Sequence, residues 1–226
     1  MPLTPEPDLS YGEWFAQAQP RNELSSLGPA VFPSYAQLAH PVHEGDDPQD
    51  PAALLCVEGD LADRELEVLV DVLGQHTTTP GDCFFGLWDG FGDIHGSPSV
   101  TLISLDGEGP LPPAPPAFTA EVIRSPRLCL PGRDYLLFRG PLAQAGQWGA
   151  ADLMPGWPRR INSPNLMWPA DHAWFVATEI DHPWTGIGGS EALVDDLLDA
   201  NGLHVTRVEA VSHRADVRSC RKLRSE

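Results

Sequence analysis

Two segments of the chain carry apolar residues at helical spacing. In "DRELEVLVDVLGQH" (63–76) the apolar positions fall three or four residues apart, which predicts an amphipathic helix with Asp63 as its N-cap. These apolar positions are Leu66, Leu69, Val70 and Leu73. The segment therefore offers one apolar face to a core.

The second helical segment is "EALVDDLLDAN" (191–201). Its inward positions are predicted to be Leu193, Val194, Leu197 and Leu198. Its outward positions are Asp195, Asp196 and Asp199. Ser190 is placed to cap the start of this helix, and Gly202 to end it.

Short apolar or alternating runs bounded by turn residues predict β-strands. The runs are "CFFGLWD" (83–89), "VTLISL" (100–105), "RLCL" (127–130), "DYLLFRG" (134–140), "AWFVATEID" (173–181) and "HVTRVEAV" (204–211). Strands and helices do not alternate regularly along the chain, which argues against a doubly wound parallel sheet. The pattern predicts an α+β fold: a single mixed, mainly antiparallel sheet with two or three packed helices.

The chain divides into three parts by pattern and charge. Residues 1–50 form a Pro-rich N-terminal segment, in which "SYGEWFAQAQ" predicts one short helix. Residues 51–212 are predicted to be one α+β domain, with a Pro-rich loop at 106–118. Residues 213–226 form a basic C-terminal tail.

The charge of the chain limits its partners. The sequence has 14 basic residues and 32 acidic ones, a net charge of −18, and five of the basic residues lie in the tail. Such a body repels phosphate backbones and anionic lipid, so we expect neither nucleic-acid nor membrane binding. No run of apolar residues is long enough to span a bilayer.

The N-terminus and the cysteines indicate a compartment. The first residues have neither the basic start nor the apolar core of a signal peptide. The four cysteines, at 56, 83, 129 and 220, are far apart and form no C-x-x-C pair. We therefore expect a cytoplasmic protein with reduced thiols.

The strand "AWFVATEID" gives the main candidate site. Alternation places Glu179 and Asp181 on one face, with their Cα atoms about 6.5–7 Å apart. Two carboxylates at this separation can share a divalent cation or divide acid and base roles. Residues nearby in the sequence complete a polar pocket with indole walls and a basic rim. They are Asp171, His172 and His182, Trp168 and Trp184, and Arg159 and Arg160. The alternative is a strand that ends in solvent.

Two further segments have a structural and a functional interpretation. Gly188-Gly189-Ser190 opens a helix, where exposed N–H groups can hold an anion, although Ser190 followed by Glu191 also makes an ordinary capped start. "HPVHEGDD" (40–47) brings two histidines close to three acidic residues, as a metal site or as a solvated loop. The structural interpretation is favoured for both.

Three motifs resemble a family of uncharacterised bacterial proteins from genomes of high GC content. They are "HTTTPGDCFFGLWDGFG", "PGRDYLLFRGPL" and "SPNLMWPADHAWFVATEID" followed by "GGS". The matching positions of the last motif are Trp168, Pro169, Asp171, Trp174, Glu179, Asp181, Gly188, Gly189 and Ser190. The resemblance covers residues 76–192 and implies that both sides of the Pro-rich loop belong to one domain. It implies no activity, ligand or catalytic residue.

The leading functional prediction is a binding module for a protein partner or a small ligand. Its ligand-binding residues would be Trp168, Asp171, Glu179, Asp181, Trp184, Arg159 and Arg160. No cofactor or metal is predicted in this role. The alternative is a divalent-metal-dependent hydrolase in which Glu179 and Asp181 hold the ion. A third hypothesis is an interaction protein whose acidic surface covers a basic partner.

Overall fold

The computed structural model of the protein describes residues 2–16, 26–40, 58–96, 115–153 and 156–208. No helix within these ranges is long and apolar enough to cross a membrane. The strand predicted at 100–105, most of the Pro-rich loop, residues 41–47 of the histidine loop and the basic tail lie outside the described residues.

The described strands form one nine-stranded sheet in the order β1-β5-β3-β6-β7-β8-β2-β9, with β4 also pairing with β5. The strands are β1 (Thr4–Pro5), β2 (Ser34–Ala39), β3 (Cys83–Trp88), β4 (Leu128–Leu130), β5 (Arg133–Gly140), β6 (Leu166–Pro169), β7 (Phe175–Thr178), β8 (Trp184–Gly189) and β9 (Val205–Val208). Every pairing among them is antiparallel. The predicted α+β class with one mainly antiparallel sheet is confirmed.

Two helices of more than one turn accompany the sheet. The described helices are α1 (Glu13–Ala16), α2 (Asp63–Gln75), α3 (Ala120–Ile123) and α4 (Glu191–Asp199). The prediction of α4 is confirmed, and the Ser190 side chain caps it by accepting a hydrogen bond from the Leu193 N–H. The predicted cap of α2 is wrong, because Ala62 occupies the cap position and Asp63 is the first helical residue. Leu198 is also misassigned, since it is 40% exposed.

Apolar side chains cover both faces of the sheet. On one face, α2 and α4 contribute Leu69, Leu73 and Leu193 to a core shared with Trp174 and Val176. The other face carries an aromatic cluster. Its fully buried rings are Phe15, Phe84, Tyr135, Trp168 and Phe175. The central strand β7 is therefore buried on both sides.

The N-terminal segment contributes to this same sheet and core. Residues 34–39 form β2, which lies between β8 and β9. Leu3 is buried with the helices, and Phe15 lies in the aromatic cluster. No strand is predicted from the sequence of this segment, because "SYAQLA" is short and only weakly patterned.

The chain crosses β8 at very short range near Gly186. A Cβ atom at Gly186 would lie 2.1 Å from the Ser26 carbonyl oxygen and 2.7 Å from the Leu27 Cα. These contacts are backbone atoms, which cannot rotate away as a side chain would. Glycine is therefore required here by the close approach of two chain segments.

We expect Gly186→Ala to lower the free energy of unfolding by about 1–3 kcal/mol, because the new methyl group overpacks this crossing. Gly81→Ala is the matched control, since nothing lies within 4 Å of its added Cβ. That variant should stay within about 0.5 kcal/mol of the parent protein. Urea unfolding followed by tryptophan fluorescence measures both. Equal stabilities of the two variants would contradict the close crossing.

Candidate functional site

Glu179 and Asp181 form ion pairs with the same arginine, Arg133. Because β7 ends at Thr178, both carboxylates lie in the turn that follows it. The Arg133 Nη2 group donates hydrogen bonds to Glu179 Oε1 at 2.6 Å and to Asp181 Oδ2 at 2.7 Å. The Glu179 side chain is 8% exposed and the Asp181 side chain 73%. The predicted proximity of the two carboxylates is thus present, with a guanidinium between them.

Aromatic groups enclose the arginine side of this cluster. The Arg133 Cζ atom lies 5.7 Å from the centre of the Trp88 ring, within the range of a cation–π contact. Trp88 pairs with Tyr135 across β3 and β5. Burial, reinforced by the nearby Glu179 carboxylate, raises the pKa of Tyr135 well above its usual value. Tyr135 therefore stays neutral, and Arg133 is the counter-ion of Glu179.

The two histidines of the motif have other contacts. His172, in the left-handed region with φ 55°, stacks on the Trp14 ring at 4.3 Å. Burial lowers its pKa, against the opposing effect of Asp171. The His182 ring packs against Trp184 at 4.8 Å. Over the described ranges, no group of three or more His, Cys, Asp or Glu side chains is placed to hold a metal ion.

Asp171 belongs to a different cluster from Glu179. Its carboxylate accepts hydrogen bonds from the Thr77 hydroxyl at 2.9 Å and from the Thr78 hydroxyl and N–H at 2.7 Å. Burial alone raises the pKa of Asp171, but the hydrogen bonds from Thr78 and Thr77 outweigh it, so the pKa lies below its usual value. These hydrogen bonds hold the "HTTTP" segment (76–80) against the turn at Asp171, which is a structural role.

Cys83 lies close to this turn, and its thiol is unreactive. It is fully buried, and its thiol lies 3.6 Å from the Thr79 carbonyl oxygen. Burial, with smaller effects of Asp82 and Asp171, raises its pKa to about 12. Because the thiolate is the reactive form, Cys83 is not a nucleophile at neutral pH.

Trp168 does not line a pocket, contrary to the sequence prediction. It is fully buried, and its ring stacks between Phe84 at 5.5 Å and Phe175 at 5.9 Å. The alternation of β6 turns this indole into the aromatic cluster instead of toward solvent. Trp184, the other predicted wall, is half-buried at the start of β8.

The two arginines of the predicted basic rim differ in exposure, since the Arg160 side chain is 52% exposed and that of Arg159 is buried. The Arg159 side chain is only 2% exposed and donates hydrogen bonds to the carbonyl oxygens of Asp93, Pro115 and Ala151. Arg159 thus ties three loops together. Arg160 instead donates to the buried Asp60 carboxylate at 2.8 Å.

The motif also contains a structural amide. The Asn165 Oδ1 atom accepts a hydrogen bond from the Trp88 N–H at 2.8 Å, and its Nδ2 donates to the Thr178 carbonyl at 3.1 Å. Asn165 is fully buried, so both contacts satisfy backbone groups that water cannot reach. The specific polar residues of the motif therefore serve the framework of the sheet.

The outward sides of α2 and α4 form an acidic helical face. Its exposed carboxylates belong to Asp63, Glu67, Asp71, Glu191, Asp195, Asp196 and Asp199. Arg64 is the only lysine or arginine within the two helices. The helices pack beside each other, and His76 links them through a 2.7 Å contact with Asp196.

Few cations approach this face. Arg207 of β9 contacts Asp195 at 2.5 Å, and Arg160 lies 4.0 Å from Asp63. The other carboxylates form no ion pair within the part of the chain that the structure describes. They are Glu67, Asp71, Glu191 and Asp199.

Outside these helices, arginines pair with several acidic residues. Arg139 contacts Asp82 at 2.6 Å, and Arg127 contacts Asp89 at 3.1 Å. Arg133 holds the Glu179 and Asp181 carboxylates as described above. Other exposed carboxylates, among them Glu13, Glu58, Glu121 and Asp134, also have no ion pair within the described residues, so the acidic helical face is distinguished by its rows of carboxylates on two neighbouring helices.

A groove of about 370 Å³ runs along one side of α2. Its lining residues include the acidic Asp63 and Glu67 and the apolar Leu66, Val70 and Ile161. The opposite wall is the chain segment from Ala143 to Gln147. The groove thus opens beside the acidic helical face. Sequence reasoning missed it, because no local pattern brings this segment to α2.

Comparisons of this chain with protein-family models, with curated proteins and with solved structures gave no match. The resemblance of the three motifs to a bacterial family remains a prediction.

Replacing Glu179 tests the role of the arginine cluster. We expect Glu179→Gln to lose about 1.5–3 kcal/mol of folding free energy, because it removes a charged acceptor from a largely buried pair. Asp181→Asn is the matched control, and because Asp181 is mostly exposed it should lose less than about 0.5 kcal/mol. Thermal unfolding at neutral pH measures both changes. A cluster without structural importance would give two equally small values.

The lowered pKa of Asp171 makes a pH prediction. Its stabilising effect is present above about pH 4, the usual value of an unfolded aspartate, and is lost as the pH falls through the lower folded-state pKa. Asp171→Asn should cost about 1 kcal/mol at pH 7, since the site is partly screened by solvent. The difference from the parent protein should shrink below about pH 4. Urea unfolding at pH 7 and pH 3 checks this, and a difference independent of pH would contradict it.

Proposed function

We propose that this protein is a binding module whose acidic helical face binds a basic surface of a partner protein. The observation that carries the proposal is the cluster of exposed carboxylates on two neighbouring helices, including four without an ion pair among the described residues. These four are Glu67, Asp71, Glu191 and Asp199. Positive side chains of a partner would supply counter-charges to this cluster.

The spacing of the carboxylates supports the proposal. Asp63, Glu67 and Asp71 recur every four residues along α2, as do Glu191, Asp195 and Asp199 along α4. Like charges at this spacing destabilise a helix by about 0.2–0.5 kcal/mol per pair. Two such rows on neighbouring helices oppose folding, and a basic partner would relieve the repulsion.

An exposed apolar residue lies within the same face. Leu198 follows Asp195 by three residues and Glu191 by seven, so the helical turn brings it close to both. Its exposure of 40% provides apolar contact area among charged groups. Interfaces commonly combine an apolar centre with a polar rim, and charges at the rim chiefly accelerate association.

The proposed interaction has an electrostatic signature. Exposed charges attract over about 8–10 Å at physiological ionic strength, and salt weakens this attraction. Complex formation should therefore be fast at low salt and should weaken as salt is added.

Two variants with the same change of charge test the location of the site. The face variant combines Glu67→Gln, Asp71→Asn, Glu191→Gln and Asp199→Asn. The control variant combines Glu13→Gln, Glu58→Gln, Glu121→Gln and Asp134→Asn, all exposed and outside α2 and α4. The probe is cytochrome c, a small basic protein, titrated at 50 mM and 150 mM salt with detection by calorimetry and amide chemical shifts.

We expect the face variant to bind the probe about tenfold more weakly, since four partly solvated ion pairs together contribute about 1–2 kcal/mol. The control variant should change affinity less than about twofold. Chemical-shift changes in the parent protein should concentrate on α2 and α4. Equal weakening in both variants, or shifts spread evenly over the acidic surface, would reject the proposed face.

A further inference from the structure

We infer that the groove beside α2 is the anchor site for an arginine side chain of the partner protein, an inference that rests on the proposed function. The groove is concave, adjoins the acidic helical face and has a volume of about 370 Å³. A concave site with an apolar floor and a few convergent polar groups is the usual form of a recognition pocket.

The α2 wall of the groove matches both parts of an arginine side chain. Leu66 and Val70 offer apolar surface to the aliphatic stem, and Ile161 adds to it from the facing segment. Asp63 and Glu67 lie four residues apart on α2, which places their Cβ atoms about 5–6 Å from each other. A planar guanidinium with five N–H donors can reach both carboxylates from one position.

A guanidinium already lies at one end of this site. Arg160 donates to Asp60 at 2.8 Å and lies 4.0 Å from Asp63, so it supplies positive charge at that end of the groove. Glu67, one turn further along α2, has no ion pair within the described residues. Glu67 is therefore the principal carboxylate for an incoming cation, with Asp63 shared between that cation and Arg160.

The facing wall favours arginine over lysine. Gln147 lines this wall together with the small residues Ala143, Ala145 and Gly146, which leave room for a planar group. Two acidic residues beside a partly apolar space suit the planar and weakly hydrated guanidinium. The ammonium of lysine is more strongly hydrated and loses more on entering such a space.

The experiment uses the full chain and acetyl-Gly-Arg-Gly-amide as the probe. Peptides with lysine or norleucine in place of arginine, and the free polyamine spermidine, are titrated in parallel. Binding is followed by amide chemical shifts at 50 mM salt. Ala143→Leu fills the groove without changing charge, and Ala120→Leu, an exposed alanine of α3, is its control. Glu67→Gln removes the principal acceptor, and Glu121→Gln is its control.

We expect saturable shifts with a dissociation constant of roughly 1–10 mM for the arginine peptide, as suits a single side chain. The affected amides should be those of Leu66, Val70, Gly146 and Ile161. Ala143→Leu and Glu67→Gln should each weaken binding at least about fivefold, and their controls less than about twofold. Thermal unfolding of each variant establishes that it is folded.

Three results would overturn the inference: norleucine peptide bound as well as arginine, arginine binding unaffected by Ala143→Leu, or spermidine bound in the groove more tightly than the peptide. The outcome is separable from that of the proposed function. If cytochrome c still binds the acidic helical face while the peptide ignores the groove, only the anchor site fails. If cytochrome c shows no preference for that face, the proposed function itself fails.

Discussion

Burial of β7 on both faces is the constraint on which the rest of the structure depends. Phe175 faces the aromatic cluster and Val176 the helical core, and the one polar side chain of the strand, Thr178, is buried and hydrogen-bonded to the Thr185 hydroxyl at 2.8 Å. Its polar requirements are met where the strand ends. The buried Asn165 amide holds the Thr178 carbonyl, and Arg133 holds the buried Glu179 carboxylate just beyond. A buried carboxylate without such a partner would cost several kcal/mol, which explains why the conspicuous polar residues of this motif serve the framework.

The polar residues of this motif differ from those of the acidic helical face in their contacts. The motif richest in Trp, Asp, Glu and His is occupied by internal contacts, and its two carboxylates already have a counter-ion. The acidic helical face is the opposite case, because several of its carboxylates have none among the described residues. The residues with the most distinctive sequence pattern are therefore different from the exposed residues that have no ion pair among the described residues. Residues that fold the sheet carry the distinctive pattern, and the surface proposed to bind a partner is made of ordinary amphipathic helices.

The sequence predicted what local periodicity encodes. The helical spacing of α2 and α4 and the apolar runs of β3 and β5 are strong signals, and these elements are confirmed. The short strand β2 lacked such a signal. The ion pair of Glu179 could not be predicted, because its partner, Arg133, lies 46 residues away and no spacing rule connects them. The acidic helical face could not be predicted either, because it depends on a contact between segments that are distant in the sequence. Each helix showed its own outward residues, but only the packing of 63–75 against 191–199 combines them into one surface.

The packing of the two acidic helices sets a physical trade-off. Their buried leucines hold them side by side on the sheet, and His76 with Asp196 adds a polar link between them. The same packing brings two rows of like charge together, which lowers stability at low ionic strength. Salt reduces that cost by screening, and a basic partner would reduce it by direct pairing. Added salt and a basic partner cannot both act fully, because salt that screens the repulsion also screens the attraction to the partner. An acidic surface of this kind therefore combines modest stability in isolation with a complex whose strength depends on ionic conditions.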